Sequence, residues 1–295
     1  MRIPGTGVLL LAWMASCAEG DHEPSHQSDL AGEEQCRTLQ QPTELPAEIR
    51  ESSGVAVSRR HPGVFWTHND SGNEPEIFAI NSAGKLLAQV RVTGARNQDW
   101  EDIALGPCPA GQCLYIGDIG DSRGKGDDLV IYRVPEPNPR SRATAQAERF
   151  RVRFPDGPRD AEALFVLPSG ELYIISKERQ AALYRYPLPL RARQTVTLER
   201  VRELDVGSDD RVTGADATPD GKWVAVRTNS LLALYRTPEL LRGSGSASFR
   251  MDLAPLGEIQ GEGVAIGADG TVVLTSEGGS KRAPGTLARL ACTLR

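Results

Sequence analysis

The stretch "NQDWEDIALG", residues 97–106, crowds Asp99, Glu101 and Asp102 against an apolar run, Ile103-Ala104-Leu105. Carboxylates at that density are costly unless water, a cation or a basic partner meets them. Similar acids open other apolar runs: Asp160 and Glu162 in "DAEAL", Gln260 and Glu262 in "QGEGVA". Two chemistries suit such groups. A hard cation such as Ca²⁺ takes carboxylate, amide carbonyl and water oxygens. Alternatively, carboxylates at strand starts bond the amides of a neighbouring strand, or pair with Arg and Lys, and only hold the fold together.

The elements that position these acids repeat five times. "SGVAV" from Ser53 aligns with "EDIAL" from Glu101, "EALFV" from Glu162, "TGADA" from Thr213 and "EGVAI" from Glu262. A Gly- or Pro-containing turn follows each, then a second apolar strand such as "CLYIGDIGD", and a third such as "LVIYRVP". The units start 48, 61, 51 and 49 residues apart. Such periods, with several short strands per unit, predict an all-β fold, a β-propeller. Five blades are expected, with six as the alternative if the 61-residue interval hides an extra element. That interval contains "EPNPRSRATAQAE", which reads as an outer-edge loop. The last unit is short by about one strand, which the chain from Cys36 supplies. Joining first and last strands in one blade closes the ring and leaves no open sheet edge.

In a blade, the start of the innermost strand and the end of the returning second strand lie on one face. Asp99 and Glu101 therefore fall beside Asp118 and Asp121, and Asp160 and Glu162 beside Lys177 and Glu178. Thr213 and Asp216 fall beside Arg227 and Asn229, Gln260 and Glu262 beside Ser276 and Glu277, and Ser53 beside His68, Asn69 and Asp70. Three Glu at equivalent positions converge on one channel mouth, and like charges brought together need a counter-charge. Lys177 and Arg227 are candidates for that role, or for binding an anionic substrate.

The chain has 295 residues and a formal charge of −5, which argues against a nucleic-acid partner. No apolar run reaches the roughly 18 residues that span a bilayer. Arg2, the apolar run Val8–Met14 and then Ala15-Ser16-Cys17 read as an export signal over residues 1–16. This end resembles a bacterial lipoprotein signal, which implies a lipid on Cys17. The alternative is an ordinary secretory signal with an incidental Cys. Residues 17–35 are polar and aperiodic, a tether in which His22 and His26 are linker residues. The domain is expected over residues 36–295. Four cysteines remain, an even number that suggests disulfides with three pairings open. Cys108 and Cys113 bracket the turn "PAGQ", and Cys36 would then join Cys292 across the ring closure.

The motifs "DWEDIA", "GDIGD", "DAEAL", "QGEGVA" and "WTHNDSG" carry a resemblance to bacterial exported β-propellers of the phytase-like esterase and calcium-binding groups. The resemblance covers roughly residues 40 to 295. It implies an axial Ca²⁺ with Glu101, Glu162, Glu262, Asn69 and Asp118 as candidate ligands. Ser53 and Thr213 replace acids in two units, so the ring of ligands is incomplete.

A metal-assisted ester or phosphoester hydrolase would use Asp99 or Asp118 to activate water, with His68 as a further candidate base. Lys177 and Arg227 would bind a phosphoryl or carboxylate oxygen. No strand–Ser–helix elbow supports a serine hydrolase, and nothing announces the quinone that dehydrogenase chemistry on this fold requires. The alternative class is a non-enzymatic binding or scaffold propeller at the cell envelope, since fold alone does not choose a use. The expected partner is a small anionic ligand or an envelope component. The protein is expected to be an exported monomer that touches the membrane only through the anchor, or else periplasmic or secreted.

Overall fold

A computed structural model describes residues 1, 36–121, 124, 129–207, 211–279 and 283–294. Apart from Met1, the export signal, Cys17, His22, His26 and the tether to residue 35 lie outside them. Among the described residues no helix is long and apolar enough to cross a membrane.

The chain enters through β1 (Cys36–Glu44) and then lays down five sheets, antiparallel except for one parallel pair at the edge of the second. Blade 1 holds β2 (Ser52–Val57), β3 (Val64–Asn69), β4 (Glu76–Asn81) and β5 (Leu86–Arg91). Blade 2 holds β6 (Trp100–Cys108), β7 (Gly111–Asp118), β8 (Val130–Pro135) and β9 (Glu148–Arg153). Blade 3 holds β10 (Ala161–Val166), β11 (Leu172–Ser176) and β12 (Ala182–Arg185). The short β13 (Thr195–Thr197) leaves it to pair with β9 before β14 (Glu199–Glu203) completes the blade. Blade 4 holds β15 (Val212–Ala217), β16 (Trp223–Thr228), β17 (Leu231–Arg236) and, after the single-turn helix α1 (Thr237–Leu241), β18 (Phe249–Asp252). Blade 5 is β19 (Gln260–Ile266), β20 (Thr271–Glu277) and β21 (Thr286–Cys292), completed by β1.

This is a five-bladed β-propeller, as the repeat predicts. The inner strands β2, β6, β10, β15 and β19 touch in that cyclic order, and β19 returns to β2. Among the described residues the long second interval contains no sixth sheet; residues 136–147 form the connection between β8 and β9. That segment reaches blade 1, where Thr144 donates its amide to Arg91 and Glu136 accepts the Trp66 indole N–H at 3.1 Å.

Alternation along each strand sends side chains to the two neighbouring blades. Five apolar clusters result, one in each gap between adjacent blades. Tyr115, Phe150, Leu164 and Tyr184 fill the gap between blades 2 and 3, for example, and Trp66, Ile103 and Ile116 that between blades 1 and 2. Near the axis the inner strands approach too closely for side chains. A Cβ on Gly54 would stand 2.6 Å from the Ile103 amide nitrogen.

The ring closure is covalent. Cys36 pairs with Cys292 in the β1–β21 ladder and is bonded to it, across 256 residues of chain. Cys108 is bonded to Cys113 over the β6–β7 turn. Of the three pairings open from sequence, the structure has this one.

Candidate functional site

At the channel mouth a cavity of about 180 Å³ opens where the inner strands begin. Its wall carries Glu101, Glu162 and Glu262, one from each of three inner strands. Asp99, Asp160 and Gln260 stand two residues before them, so the pattern acid-or-amide, any residue, Glu occurs three times on one wall. The returning strands add Asp70, Lys177 and Glu277. Seven carboxylates and one ammonium face the same space.

The local sequence explains the placement. In "DWED" Trp100 is fully buried, donates its indole N–H to the Arg96 carbonyl at 2.8 Å, and meets the His68 ring edge-on at 5.6 Å. Anchoring Trp100 leaves Asp99 and Glu101 facing the cavity. Asn97 ties this turn to the preceding blade, donating to the Asp70 carbonyl at 2.8 Å. Gly120, in "GDIGD", leaves the space these acids occupy: a Cβ there would lie 2.2 Å from Glu101 Oε1 and 2.5 Å from Asp99 Oδ2.

Asp102, in the opening stretch, has a different task. Its carboxylate is fully buried and accepts the amides of Ile103 at 2.8 Å, Leu164 at 2.9 Å and Ala215 at 3.2 Å. It therefore joins blades 2, 3 and 4 around the axis. Asp216 repeats the device by accepting the Ile266 amide at 2.9 Å. For these two acids the framework role holds.

The electrostatics of the cavity acids point the other way. Glu101, Glu162 and Glu262 are only 6, 3 and 5% exposed, so their charge is poorly solvated. Burial and then Glu162 push Glu101 well above the carboxylate range, and burial and Glu162 do the same to Glu262. Glu162 is pushed up to about 7 by burial, although Lys177 pulls against it, and Glu277 is pushed to about 7 by burial and Asp70. Asp70 rises to about 6, mainly by burial. Lys177 donates to Glu162 Oε1, and that carboxylate outweighs burial to hold the ammonium above its usual range. Glu262 Oε1 accepts from Gln260 at 2.7 Å, but its Oε2 is buried with no hydrogen-bond partner among the described residues. Carboxylate oxygens of Asp70, Asp99 and Glu101 lie within 4.8 Å of one another, and so do those of Glu101, Asp160 and Glu162.

Four expected site residues are not on this cavity wall. Asp118 accepts the amides of Asp99 at 2.7 Å and Gln98 at 3.2 Å, so it shapes the turn that presents Asp99. Asn69 donates to the Glu48 carbonyl at 2.8 Å and accepts the Glu51 amide at 3.2 Å. His68 is fully buried; its Nδ1 lies 3.1 Å from the Asn69 carbonyl, and burial pulls its pKa down to about 4. Arg227 is fully buried, donates to the carbonyls of Gly263 at 3.0 Å and Thr275 at 3.1 Å, and pairs with Glu258. Those bonds staple blade 4 to blade 5 and leave the guanidinium no face toward a ligand. Asp70, Asp160, Gln260 and Glu277 are among the cavity residues outside the expected ligand set. Their signal was present in sequence, since each flanks an inner-strand start or a second-strand end.

No known family model matches the chain, and no curated protein matches it in sequence. Among solved structures it is similar to a PQQ-bound aldose sugar dehydrogenase from Streptomyces coelicolor. The TM-score is 0.53 at 13% identity, over 88% of this chain and 98% of the other. It is also similar to the β-propeller domain of Cps50 (Swd1) from Myceliophteria thermophila, with TM-score 0.46 and 12% identity over 86% and 100%. At such identity the first likeness bears on the fold alone, and the fold it supports is the β-propeller.

Proposed function

We propose that the channel-mouth cavity binds a divalent hard cation of the Ca²⁺ class, and that the protein uses it for hydrolysis of a small anionic ester or phosphoester. The observation that supports this most is the imbalance of seven carboxylates against one ammonium around one cavity. The donor set is all oxygen, which suits Ca²⁺ better than Zn²⁺. An ion about 2.3–2.6 Å from each ligand bridges oxygens up to about 5 Å apart, in keeping with the 4.8 Å limit of the two acid trios.

Such a cation, when bound, polarises an ester or phosphoryl oxygen. The chain's own groups do the rest. Glu101, Glu162 and Glu262, which burial holds toward the protonated form, supply negative charge once a cation takes the place of their protons. Asp99, half-buried and raised by burial and by Asp160, faces the same space and takes a proton from water there. Lys177 is the ammonium available to an anionic oxygen. At about 30 Å³ per water the cavity has room for about six, which limits the reacting group to a small one. Export and anchoring through Cys17 belong to the same proposal.

A non-enzymatic binding propeller is the second reading. It gains from Asp118, His68 and Arg227, which sit in the framework rather than on the cavity. Turnover of p-nitrophenyl phosphate and p-nitrophenyl acetate by the full chain, with Ca²⁺ and with chelator, separates the two. Calcium-dependent turnover lost in Glu101→Gln supports the hydrolase. Calcium binding without turnover of either ester selects the binding module.

A further inference from the structure

The outer strand of blade 2 carries a feature of opposite charge. Along β9, Phe150 and Val152 face the core between blades 2 and 3, while Arg149, Arg151 and Arg153 are exposed on the other side. The connection from β12 returns over this strand, because β13 pairs with it in parallel and sets Thr195 opposite Arg151. Arg193 is thereby brought beside Arg149 and Arg151, around a cavity of about 540 Å³.

Two details distinguish this groove from ordinary surface arginines. Arg193 has φ +67°, the one non-glycine in the left-handed region among the described residues. That conformation is disfavoured for a side chain with a Cβ and persists only where the surroundings impose it. Glu148, the one acid on the groove wall, is already committed to Arg133, at 2.8 Å from Nε and 2.7 Å from Nη2. Among the described residues Arg149, Arg151 and Arg193 form no ion pair; Arg149 lies over the Tyr132 ring at 5.7 Å. Three guanidinium groups thus converge with no ion-pair partner on a chain of charge −5, the Asp118 carboxylate acting on Arg149 only through space. Guanidinium presents paired N–H groups that match phosphate oxygens two at a time.

We propose that this groove is a second binding site, for a phosphate-bearing anion, independent of the acidic cavity. The groove is large enough for more than one phosphate or for a phosphorylated headgroup. Strand β9 stands three strand spacings, about 14 Å, from the inner strand β6, so the two sites do not share a wall.

The test is calorimetry with inorganic pyrophosphate on the full chain, in metal-free buffer so that no cation in the acidic cavity recruits the anion. Saturable binding is expected, weakened at least tenfold in Arg151→Gln/Arg193→Gln and unchanged in Glu162→Gln. Arg193→Gly relieves the left-handed backbone while deleting the guanidinium, and is expected to fold at least as well and to bind more weakly. Absence of saturable binding, or equal affinity in the double variant and the wild type, overturns the site. Sedimentation with phosphatidylglycerol or phosphatidylcholine vesicles then identifies the source. A preference for the anionic vesicles that the double variant loses assigns the groove to lipid headgroups; no preference, with pyrophosphate still bound, assigns it to a soluble phosphate.

Discussion

Lys177 meets Glu162 from the neighbouring strand of blade 3, and this is the one ion pair on the cavity wall among the described residues. Six further carboxylates face the same space. The lysine therefore competes with any cation that binds there. Lys177→Gln is expected to tighten Ca²⁺ binding by about tenfold, about 1.4 kcal/mol, while lowering the stability of the metal-free protein. Calorimetry reads the first effect and thermal unfolding the second. Weaker Ca²⁺ binding in this variant would instead make the lysine part of the binding frame.

Gly120 tests the geometry rather than the charge. A methyl group at that position collides with Glu101 and Asp99, whose carboxylates must move. Gly120→Ala is expected to weaken Ca²⁺ affinity at least tenfold, with the far-ultraviolet spectrum of the five sheets unchanged. Unaltered affinity would place the ion away from Asp99 and Glu101.

The metal-free protein should become less stable as pH rises. Glu162 has an ordinary value of 4.5 and is pushed up to about 7, and Asp70 goes from 3.8 to about 6. A carboxyl raised in the folded state binds its proton more tightly there than in the unfolded chain. Its contribution is complete below the unfolded value and is lost as pH climbs through the folded one. The melting temperature with chelator is thus expected to fall from pH 5 to pH 8, against the background of the other groups. Saturating Ca²⁺ should remove most of that fall, because the ion supplies the counter-charge. A melting temperature that rises over this interval with chelator would contradict the assignment.

The Cys36–Cys292 bond closes 256 residues of chain at the ring seam. Loop-closure entropy gives on the order of 5 kcal/mol for such a link, an upper figure because the unfolded chain retains structure. Replacing both cysteines by serine should lower the unfolding free energy measurably in denaturant titrations. Replacing Cys108 and Cys113, which close a turn of a few residues, should cost less. Equal losses would show that the seam bond does not hold the ring.

Much of this architecture is legible in the sequence. The repeat starting at Ser53, Glu101, Glu162, Thr213 and Glu262 gave the blades, because each inner strand is an apolar run opened by polar residues. The same-face geometry of strand start and strand return brought Glu101, Glu162, Glu262 and Lys177 together. What sequence did not resolve was which side of a strand end a polar residue takes. Asp118 and Arg227 stand one and two residues short of the position Lys177 takes in its blade, and turn into backbone amides and carbonyls instead. Asp102 is adjacent to Glu101 and points along the axis instead of into the cavity. The β13 excursion, and with it the Arg193 groove, follows from a three-residue strand with no period of its own.

Cation binding by the acid cluster is read by a Ca²⁺ titration of thermal unfolding. The full chain is freed of metal with chelator, then melted over increasing Ca²⁺. A ligand that binds only the folded state adds about 2.7 kcal/mol at a hundredfold excess over its Kd, so the melting temperature should climb steadily with concentration. Glu162→Gln should blunt that climb, while Glu171→Gln, in the turn at the far end of β10 and β11, should leave it intact. A melting temperature that ignores both chelator and Ca²⁺, with Glu162→Gln responding like the wild type, would contradict the account.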